Sequence, residues 1–264
     1  RITHWRGFQL SAFQIKAIEA LRAGSNVLVS APTGAGKTLV AEYAIADAVQ
    51  RRRRCVYTAP IKALSNQKYR DFRDVPEMDV GLMTGDVTIR PEAQVLIMTT
   101  EILRNSIFED PRALADVDYV IFDEVHFLDD AERGTVWEES IIFAPPEVRM
   151  IALSATISNL DQLGSWLREI RPQALEVVQS TKRPVPLKHR LHSTRRELFD
   201  AQRLQWVKKN AAQAAQRERR RGRRGKRGFR PHMGLVPGDL DDLFEHLQAN
   251  ELLGYKLSPR CRRI

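Results

Sequence analysis

The fold of this chain is decided by Ser30-Ala31-Pro32-Thr33-Gly34-Ala35-Gly36-Lys37-Thr38. The stretch follows the apolar run Asn26–Val29 and precedes an amphipathic run that starts at Leu39. A strand, a glycine-bearing loop and a helix in this order surround an anion with backbone N–H groups and the positive end of the helix. The pattern predicts a phosphate cradle, in which Lys37 reaches the outer phosphates of a nucleotide and Thr38 offers its hydroxyl to Mg²⁺.

The loop departs from the usual pattern at one position, because position 31 is Ala where Gly is customary. Gly34 and Gly36 still supply the freedom for positive φ that such a loop needs. The structural alternative is a glycine-containing turn that binds nothing, and a Gly-Lys-Thr at the strand–helix junction argues against it. The candidate nucleotide-binding residues of the loop are Thr33, Gly34, Ala35, Gly36, Lys37 and Thr38.

Strand-like runs recur along the chain with helix-like runs between them. Each strand run is short and almost continuously apolar, which is typical of a parallel sheet covered by helices on both faces. The later strand runs are Cys55–Ala59, Val80–Met83, Val95–Met98, Tyr119–Phe122, Met150–Leu153 and Leu175–Val178. Helical periodicity occupies residues 13–21, 62–72, 101–108, 135–143 and 160–170. We therefore predict an α/β fold whose ligands bind beyond the carboxyl ends of the strands.

The acidic pair Asp123-Glu124 directly follows one of these strands. A carboxylate there, beside a bound nucleotide, can hold Mg²⁺ through its water shell, so Asp123 joins Thr38 as a candidate metal ligand. Glu124 is the candidate base that orients and deprotonates the attacking water. The structural alternative is a helix N-cap, which we accept for Asp129 and Asp130.

Phe8 and Gln14 precede the loop by a short distance. A flat ring could stack on an adenine, and an amide could form hydrogen bonds with it. Composition alone favours a plainer interpretation, with Phe8 in the core and Gln14 on the surface.

Three motifs together resemble the first RecA-like domain of superfamily 2 DExH-box helicases. They are Ala31–Thr38, Asp123-Glu124-Val125-His126 and Ser154-Ala155-Thr156, in that order and at these intervals. The stretch from position 127 to position 139 is similar to the superkiller-like, exosome-associated branch. The resemblance covers roughly residues 5–192. It implies a P-loop RecA-like fold with helices on both faces of the sheet, and ATP and Mg²⁺ as cofactors.

The resemblance also assigns roles to single residues. It implies that Phe8 and Gln14 recognise adenine, and that Ser154 and Thr156 couple hydrolysis to strand movement. His126 is placed with Lys37, Asp123 and Glu124 in the catalytic set, although a lone histidine is more often packed or solvated. Contacts to the backbone of one nucleic-acid strand are implied for Pro60, Lys62, Thr84, Gly85, Thr100 and Arg104. Phosphate contacts carry no sequence information, so we expect sequence-independent binding that weakens as the salt concentration rises. The resemblance implies RNA as the favoured nucleic acid, with DNA as the alternative.

The net charge of +9 is concentrated in one segment of the chain. Residues 182–230 hold 18 Lys and Arg against 3 Asp and Glu, which leaves the remaining residues with a net charge of −6. Such a segment indicates a polyanionic partner. Leu198–Gln216 is helix-like, and residues 217–230 are either a solvated linker or an arginine–glycine arm that binds nucleic acid.

We predict three regions along the chain. Residues 1–181 form a RecA-like ATP-binding domain, residues 182–238 an extended linker with the basic segment, and residues 239–264 the helix and tail of a truncated second RecA-like domain. In this family the second domain supplies cations to the transition state. We therefore expect the isolated chain to bind nucleotide, hydrolyse it feebly and unwind nothing processively.

The leading prediction is an ATP-dependent nucleic-acid helicase acting in an RNA-decay or processing complex. The alternatives are a duplex translocase that does not unwind and a non-catalytic nucleic-acid-binding fragment. No apolar run in the chain approaches the ~20 residues that cross a bilayer, so no membrane partner is expected. Cys55 and Cys261 have no metal or disulfide spacing, and we expect a cytoplasmic protein, with the nucleus as the alternative in a eukaryote.

Overall fold

The computed structural model describes residues 2–75, 78–110, 112–130, 133–183, 185, 191–192 and 198–199. The chain divides into two compact units, Arg1–Val185 and Pro186–Ile264. The helices are α1 (Ala12–Arg22), α2 (Thr38–Gln50), α3 (Lys62–Arg73), α4 (Thr100–Glu109), α5 (Gly134–Phe143) and α6 (Leu160–Ile170), with a 3₁₀ helix η1 at Val125–Asp129. The strands are β1 (His4–Trp5), β2 (Phe8–Gln9), β3 (Asn26–Ser30), β4 (Arg54–Ala59), β5 (Val80–Met83), β6 (Thr88–Ile89), β7 (Val95–Thr99), β8 (Val117–Phe122), β9 (Arg149–Ser154), β10 (Leu175–Gln179), β11 (Leu191–His192) and β12 (Leu198–Phe199).

An eight-stranded sheet organises the first unit, in the spatial order β10-β3-β9-β8-β4-β7-β5-β6. Neighbouring strands are parallel from β10 to β5, and β6 pairs antiparallel with β5 at the edge. All parallel strands end at the same edge, so the segments after β3, β9, β8 and β4 become spatial neighbours although they are distant in the chain.

The two faces of the sheet build two separate cores, because successive side chains of a strand point to opposite faces. Val27 and Val29 of β3 pack into one core with Tyr57 of β4 and residues of α1 and α2. Leu28 and Val56, one position along, pack into the other core with residues of α4, α5 and α6. Both faces are therefore covered, as the continuous apolar strand runs predicted.

A cluster of charged groups lies at the opposite edge of the sheet, around Tyr119 of β8. The Tyr119 hydroxyl donates to Asp47 Oδ2 at 2.6 Å, and the Arg149 guanidinium lies 4.0 Å from the centre of the Tyr119 ring. Asp118 forms ion pairs with Arg51 at 2.7 Å and with Arg149 at 3.7 Å. This cluster joins α2 to the starts of β8 and β9.

The strands and helices predicted from periodicity are confirmed in the first unit, with shifts of one or two residues at their ends. Three short elements were not predicted: the β1–β2 hairpin, the edge strand β6 and η1. Each is too short to carry a periodic signal. The predicted helical start at Leu198 is wrong, because Leu198–Phe199 pairs antiparallel with Leu191–His192. The rest of that predicted helix, the arginine–glycine segment and the helix and tail of residues 239–264 lie outside the described residues.

Among the helices of the described part, none is long and apolar enough to cross a membrane.

Gly81 in β5 allows the backbone at Ile89 and Arg90 to approach β5 closely. A Cβ atom there would lie 2.1 Å from the Arg90 carbonyl oxygen and 2.9 Å from that of Ile89. Gly81→Ala should lower the free energy of unfolding by about 1–3 kcal/mol, because backbone atoms must shift to admit the methyl group. The measurement is denaturant unfolding of the chain followed by circular dichroism. Gly85→Ala is the matched control, since its Cβ would meet a flexible Lys62 side chain at 3.3 Å. Equal losses for both variants would contradict the prediction.

Candidate active site

Four neighbouring strands bring the candidate residues to one edge of the sheet. The loop follows β3, Ser154 ends β9, Asp123 follows β8, and Pro60 follows β4. Backbone hydrogen bonds extend the ladder into the loops: Ala31 N–H donates to Ser154 O at 3.2 Å, and Asp123 N–H donates to Thr58 O at 3.0 Å. Backbone hydrogen bonds of the sheet therefore fix the positions of the first loop residues and of the acidic pair relative to each other.

The loop has the open, glycine-dependent conformation that its sequence predicts. Gly34 and Gly36 have φ of 82° and 89°, which L side chains rarely adopt. A Cβ on Gly36 would also lie 2.8 Å from Gln14 Nε2, so both conformation and space require glycine there. Ala31, at the position where glycine is customary, is fully buried in the core below the loop. Its φ is not positive, so this position of the loop does not require glycine.

Lys37 is a buried cation without a paired carboxylate among the described residues. Its side chain is only 9% exposed, and Nζ donates to Ala31 O at 2.8 Å and Pro32 O at 3.5 Å. Burial lowers the pKa of Lys37, and the charges of Glu124 and Asp123 oppose that shift. A desolvated ammonium group that has only carbonyl acceptors is suited to an anion such as a phosphate.

The acidic pair has a defined geometry at the end of β8. Asp123 Oδ2 accepts a hydrogen bond from the Tyr57 hydroxyl at 2.5 Å, and Asp123 Oδ1 accepts one from Glu124 N at 3.0 Å. Glu124, the residue before η1, has φ of 58° in the left-handed region. This strained conformation costs roughly 1–3 kcal/mol and is concentrated at functional sites. Burial, then the Asp123 charge, raises the pKa of Glu124, which makes it a stronger proton acceptor when ionised.

His126 lies beside the acidic pair rather than apart from it. Its Nδ1 is 3.3 Å from Glu124 Oε2, and within the described residues this nitrogen has no hydrogen-bond partner. Burial lowers the pKa of His126 below its usual range, so the ring is neutral near pH 7. The Nδ1 atom is buried beside the Glu124 carboxylate and is not open to a ligand.

The composition-based interpretation of Phe8 and Gln14 is wrong on both residues. Phe8 is 65% exposed, whereas Gln14 is only 7% exposed. The Gln14 side chain joins the start of α1 to the loop: Oε1 accepts from Ser11 N at 2.8 Å and Ser11 Oγ at 2.9 Å, and Nε2 donates to Gly36 O at 2.9 Å. The Phe8 ring is therefore accessible and the Gln14 amide is fixed against the loop, while adenine recognition by these two residues stays a prediction.

Two residues next to the candidate metal ligands were missed from the sequence. Tyr57 on β4 contacts Asp123, and Lys68 on α3 donates to the Thr38 hydroxyl at 3.3 Å. The Lys68 ammonium also lies 5.8 Å from the centre of the Tyr57 ring. Tyr57 could have been found as a phenol near the carboxyl end of a strand that neighbours the strand of Asp123. Lys68 gave no comparable signal.

The residues suggested for nucleic-acid contact differ in accessibility. Pro60, Thr84 and Thr100 are buried. Lys62 is exposed and pairs with Asp86 at 2.5 Å. The remaining two are the exposed Gly85, beside the Lys62 side chain, and the half-buried Arg104, which lies 3.4 Å from Glu139. Both candidate cations thus have carboxylate partners.

The two residues assigned to coupling lie next to the loop. Ser154 is fully buried, and its Oγ has no hydrogen-bond partner among the described residues. Thr156 is half-buried, two residues further along the segment.

The donors at this edge fit a magnesium–nucleotide complex better than a metal held by protein alone. The Thr38 hydroxyl and the Asp123 carboxylate are hard oxygen donors of the kind that Mg²⁺ prefers. Within the described residues, no group of three or more His, Cys, Asp or Glu side chains is arranged to hold a metal ion. An ion here would therefore complete its coordination with phosphate oxygens and water, which is usual for Mg²⁺ in nucleotide sites.

Comparison with known proteins decides the family. The pattern of the DEAD/DEAH box helicases matches residues 11–163, more than half of the chain. The chain belongs to the DEAD/DEAH box helicase family.

Several DEAD/DEAH box relatives are about half identical to it. The DExH-box ATP-dependent RNA helicase DExH9 of Arabidopsis thaliana is 51% identical over 182 residues, which is 69% of this chain and 18% of the relative. Superkiller complex protein 2 of Mus musculus is 49% identical over 197 residues, 73% of this chain and 16% of the relative. The chain therefore spans less than a fifth of the length of these relatives.

Solved helicase structures share the fold of this DEAD/DEAH box domain. The Mycobacterium smegmatis helicase Lhr, bound to single-stranded DNA and AMP-PNP, matches with a TM-score of 0.53 and 26% identity, over 67% of this chain and 26% of Lhr. The DUF1998 helicase MrfA, bound to DNA, matches with a TM-score of 0.54 and 19% identity, over 66% of this chain and 28% of MrfA.

The buried charge of Lys37 should lower the free energy of unfolding of the domain when no ligand is bound. Lys37→Met keeps the length of the side chain and removes a desolvated charge, so the free energy of unfolding should stay equal or rise by about 1 kcal/mol. Denaturant unfolding without nucleotide measures this. Lys16→Met is the control, because Lys16 is exposed and pairs with Glu176 at 2.6 Å on the surface. A loss of stability at Lys37→Met larger than at Lys16→Met would contradict this account of the buried cation.

Proposed function

We propose that this domain binds ATP with Mg²⁺ at the loop of residues 30–38 and hydrolyses it during work on a nucleic-acid strand, as part of an RNA helicase. The observation that carries the proposal is the buried Lys37 ammonium, which faces Asp123 and Glu124 across the carboxyl edge of the sheet. The names of the relatives support RNA as the substrate class, because DExH9 is an RNA helicase. The name of the mouse relative, superkiller complex protein 2, supports work within a multiprotein complex.

Each protein group has a separate task in the proposed reaction. The backbone N–H groups of the loop and the ammonium of Lys37 bind the phosphates and orient the outermost one. Mg²⁺, when bound through Thr38 and Asp123, neutralises phosphate charge. Glu124 orients the attacking water and accepts its proton, which its raised pKa favours.

Adenine recognition is proposed for Gln14 and Phe8. The Gln14 amide is buried and oriented by Ser11, and the Nε2 N–H that remains after the bond to Gly36 O is the group proposed to donate to a base. Phe8 offers an exposed ring on β2, directly ahead of α1. A purine between these groups would place its phosphates towards the loop that Gln14 contacts through Gly36 O.

Nucleic-acid binding is proposed for the segments after β4, β5 and β7, where Lys62, Gly85 and Arg104 are accessible. A phosphate at Lys62 must compete with Asp86, which lies at 2.5 Å. A phosphate at Arg104 must likewise compete with Glu139, which lies at 3.4 Å. The two carboxylates weaken phosphate binding whatever the nucleotide sequence. They also keep the cations oriented when no nucleic-acid strand is bound.

The nucleotide test uses fluorescent ATP analogue binding and phosphate release. Lys37→Met should lower affinity about 10- to 100-fold, because charge-assisted bonds to phosphate are lost. Glu124→Gln should bind within about twofold of the unchanged chain and lose roughly 100-fold or more in hydrolysis rate. Glu176→Gln, a surface carboxylate, is the control and should change neither. Equal binding by the unchanged chain and Lys37→Met would overturn the proposed nucleotide site.

The nucleic-acid test uses anisotropy of a fluorescein-labelled oligouridine over a salt series. Lys62→Gln should weaken binding and reduce the salt slope by about one. Asp86→Asn should strengthen binding at low salt, because it releases Lys62 from its carboxylate. A deoxyribo-oligonucleotide of equal length measures the preference for RNA. If Lys62→Gln and Asp86→Asn changed the affinity for the oligonucleotide in the same direction, a phosphate contact at Lys62 would be contradicted.

A further inference from the structure

Tyr57 is a buried phenol whose hydroxyl points at the candidate metal ligand. The side chain lies in the middle of the sheet at 0% exposure, and its hydroxyl donates to Asp123 Oδ2 at 2.5 Å. The other oxygen of the same carboxylate accepts the Glu124 N–H at 3.0 Å. Both Asp123 oxygens therefore have a protein donor, and the rotation of the carboxylate is restricted.

The bond belongs to the strong class of hydrogen bonds. Short O–H···O⁻ contacts to an ionised carboxylate are about twice as strong as neutral ones. A tyrosine hydroxyl has an ordinary pKa of about 10 and a carboxylate has no proton to give, so the Tyr57 hydroxyl is the donor of this bond. The Tyr57 ring makes an edge-to-face contact with the Phe72 ring, with 5.6 Å between the ring centres.

Packing alone does not require the hydroxyl. The face of β4 that carries Tyr57 packs into the apolar core with α2 and α3, where a phenylalanine ring would fill the same space. A buried tyrosine hydroxyl needs a polar partner, and here that partner is the residue that follows β8. Lys68, which lies beside the Tyr57 ring, donates to the other candidate metal ligand, the Thr38 hydroxyl, at 3.3 Å.

We infer that Tyr57 is a positioning residue of the ATPase site: it orients the Asp123 carboxylate towards the metal of the magnesium–nucleotide complex. The inference rests on the proposed function. Groups that hold a metal ligand in place typically change metal affinity 10- to 100-fold when they are removed. Tyr57 acts through Asp123 and is not itself expected to touch nucleotide or water.

The experiment is a Mg²⁺ titration of fluorescent ATP analogue binding by the full chain. Tyr57→Phe should need about 10-fold more Mg²⁺ to reach half of the metal-dependent gain in affinity. Binding in EDTA should stay within about twofold of the unchanged chain, since the loop and Lys37 are untouched. Asp123 is half-buried, so water can replace the lost donor and the variant should fold.

Tyr119→Phe is the matched control. Tyr119 is also a buried phenol of the same sheet, and its hydroxyl also donates to an aspartate, Asp47, at 2.6 Å. It lies at the opposite edge, so its loss should leave the Mg²⁺ titration unchanged. In an Asp123→Asn background, Tyr57→Phe should add no further change to the titration.

The outcomes separate the inference from the proposed function. Absence of Mg²⁺-dependent nucleotide binding by the unchanged chain would refute the proposed function itself. If the unchanged chain shows that dependence and the Tyr57→Phe curve coincides with it, Tyr57 is a structural residue and the inference is overturned. Equal shifts for Tyr57→Phe and Tyr119→Phe would overturn it as well, because a general loss of stability would then explain both.

Discussion

The parallel pairing of β3, β9, β8 and β4 is the constraint on which the rest of the site depends. These strands come from distant parts of the chain, yet all four end at one edge. Their registers are set by backbone hydrogen bonds and by the two buried faces, because a shift of one residue would move every core side chain of a strand to the core on the opposite face. The loop, the acidic pair and Ser154 therefore meet without any direct side-chain bond between them.

The site holds several groups that are costly for folding. Lys37 is a desolvated cation, Glu124 adopts a left-handed conformation, and the Ser154 hydroxyl is buried without a partner among the described residues. Each cost is tolerated because the surrounding sheet is stable and packed on both faces. Such a concentration of local cost at one edge is expected where a ligand supplies the missing interactions.

Much of the fold could be predicted from the sequence, because apolar periodicity and strand length are local signals. The candidate loop and acidic pair were identified by their residue types and spacing, whereas the order of the strands in the sheet was not predicted. Contacts between side chains far apart in the chain could not be predicted in the same way. The Tyr57–Asp123 bond joins residues 66 positions apart, and the Lys62–Asp86 pair depends on how the start of α3 lies against the loop after β5. Composition also failed for Phe8 and Gln14, because burial there is decided by the neighbouring loop.

A tyrosine–aspartate bond lies near each end of β8, one through Asp123 and one through Tyr119. The strand is thereby anchored against sliding along its own axis, since a step of about 3.3 Å would break both bonds together. The acidic pair therefore keeps a fixed position relative to the sheet. In the proposed ATPase cycle, any movement must come from elements outside the paired strands.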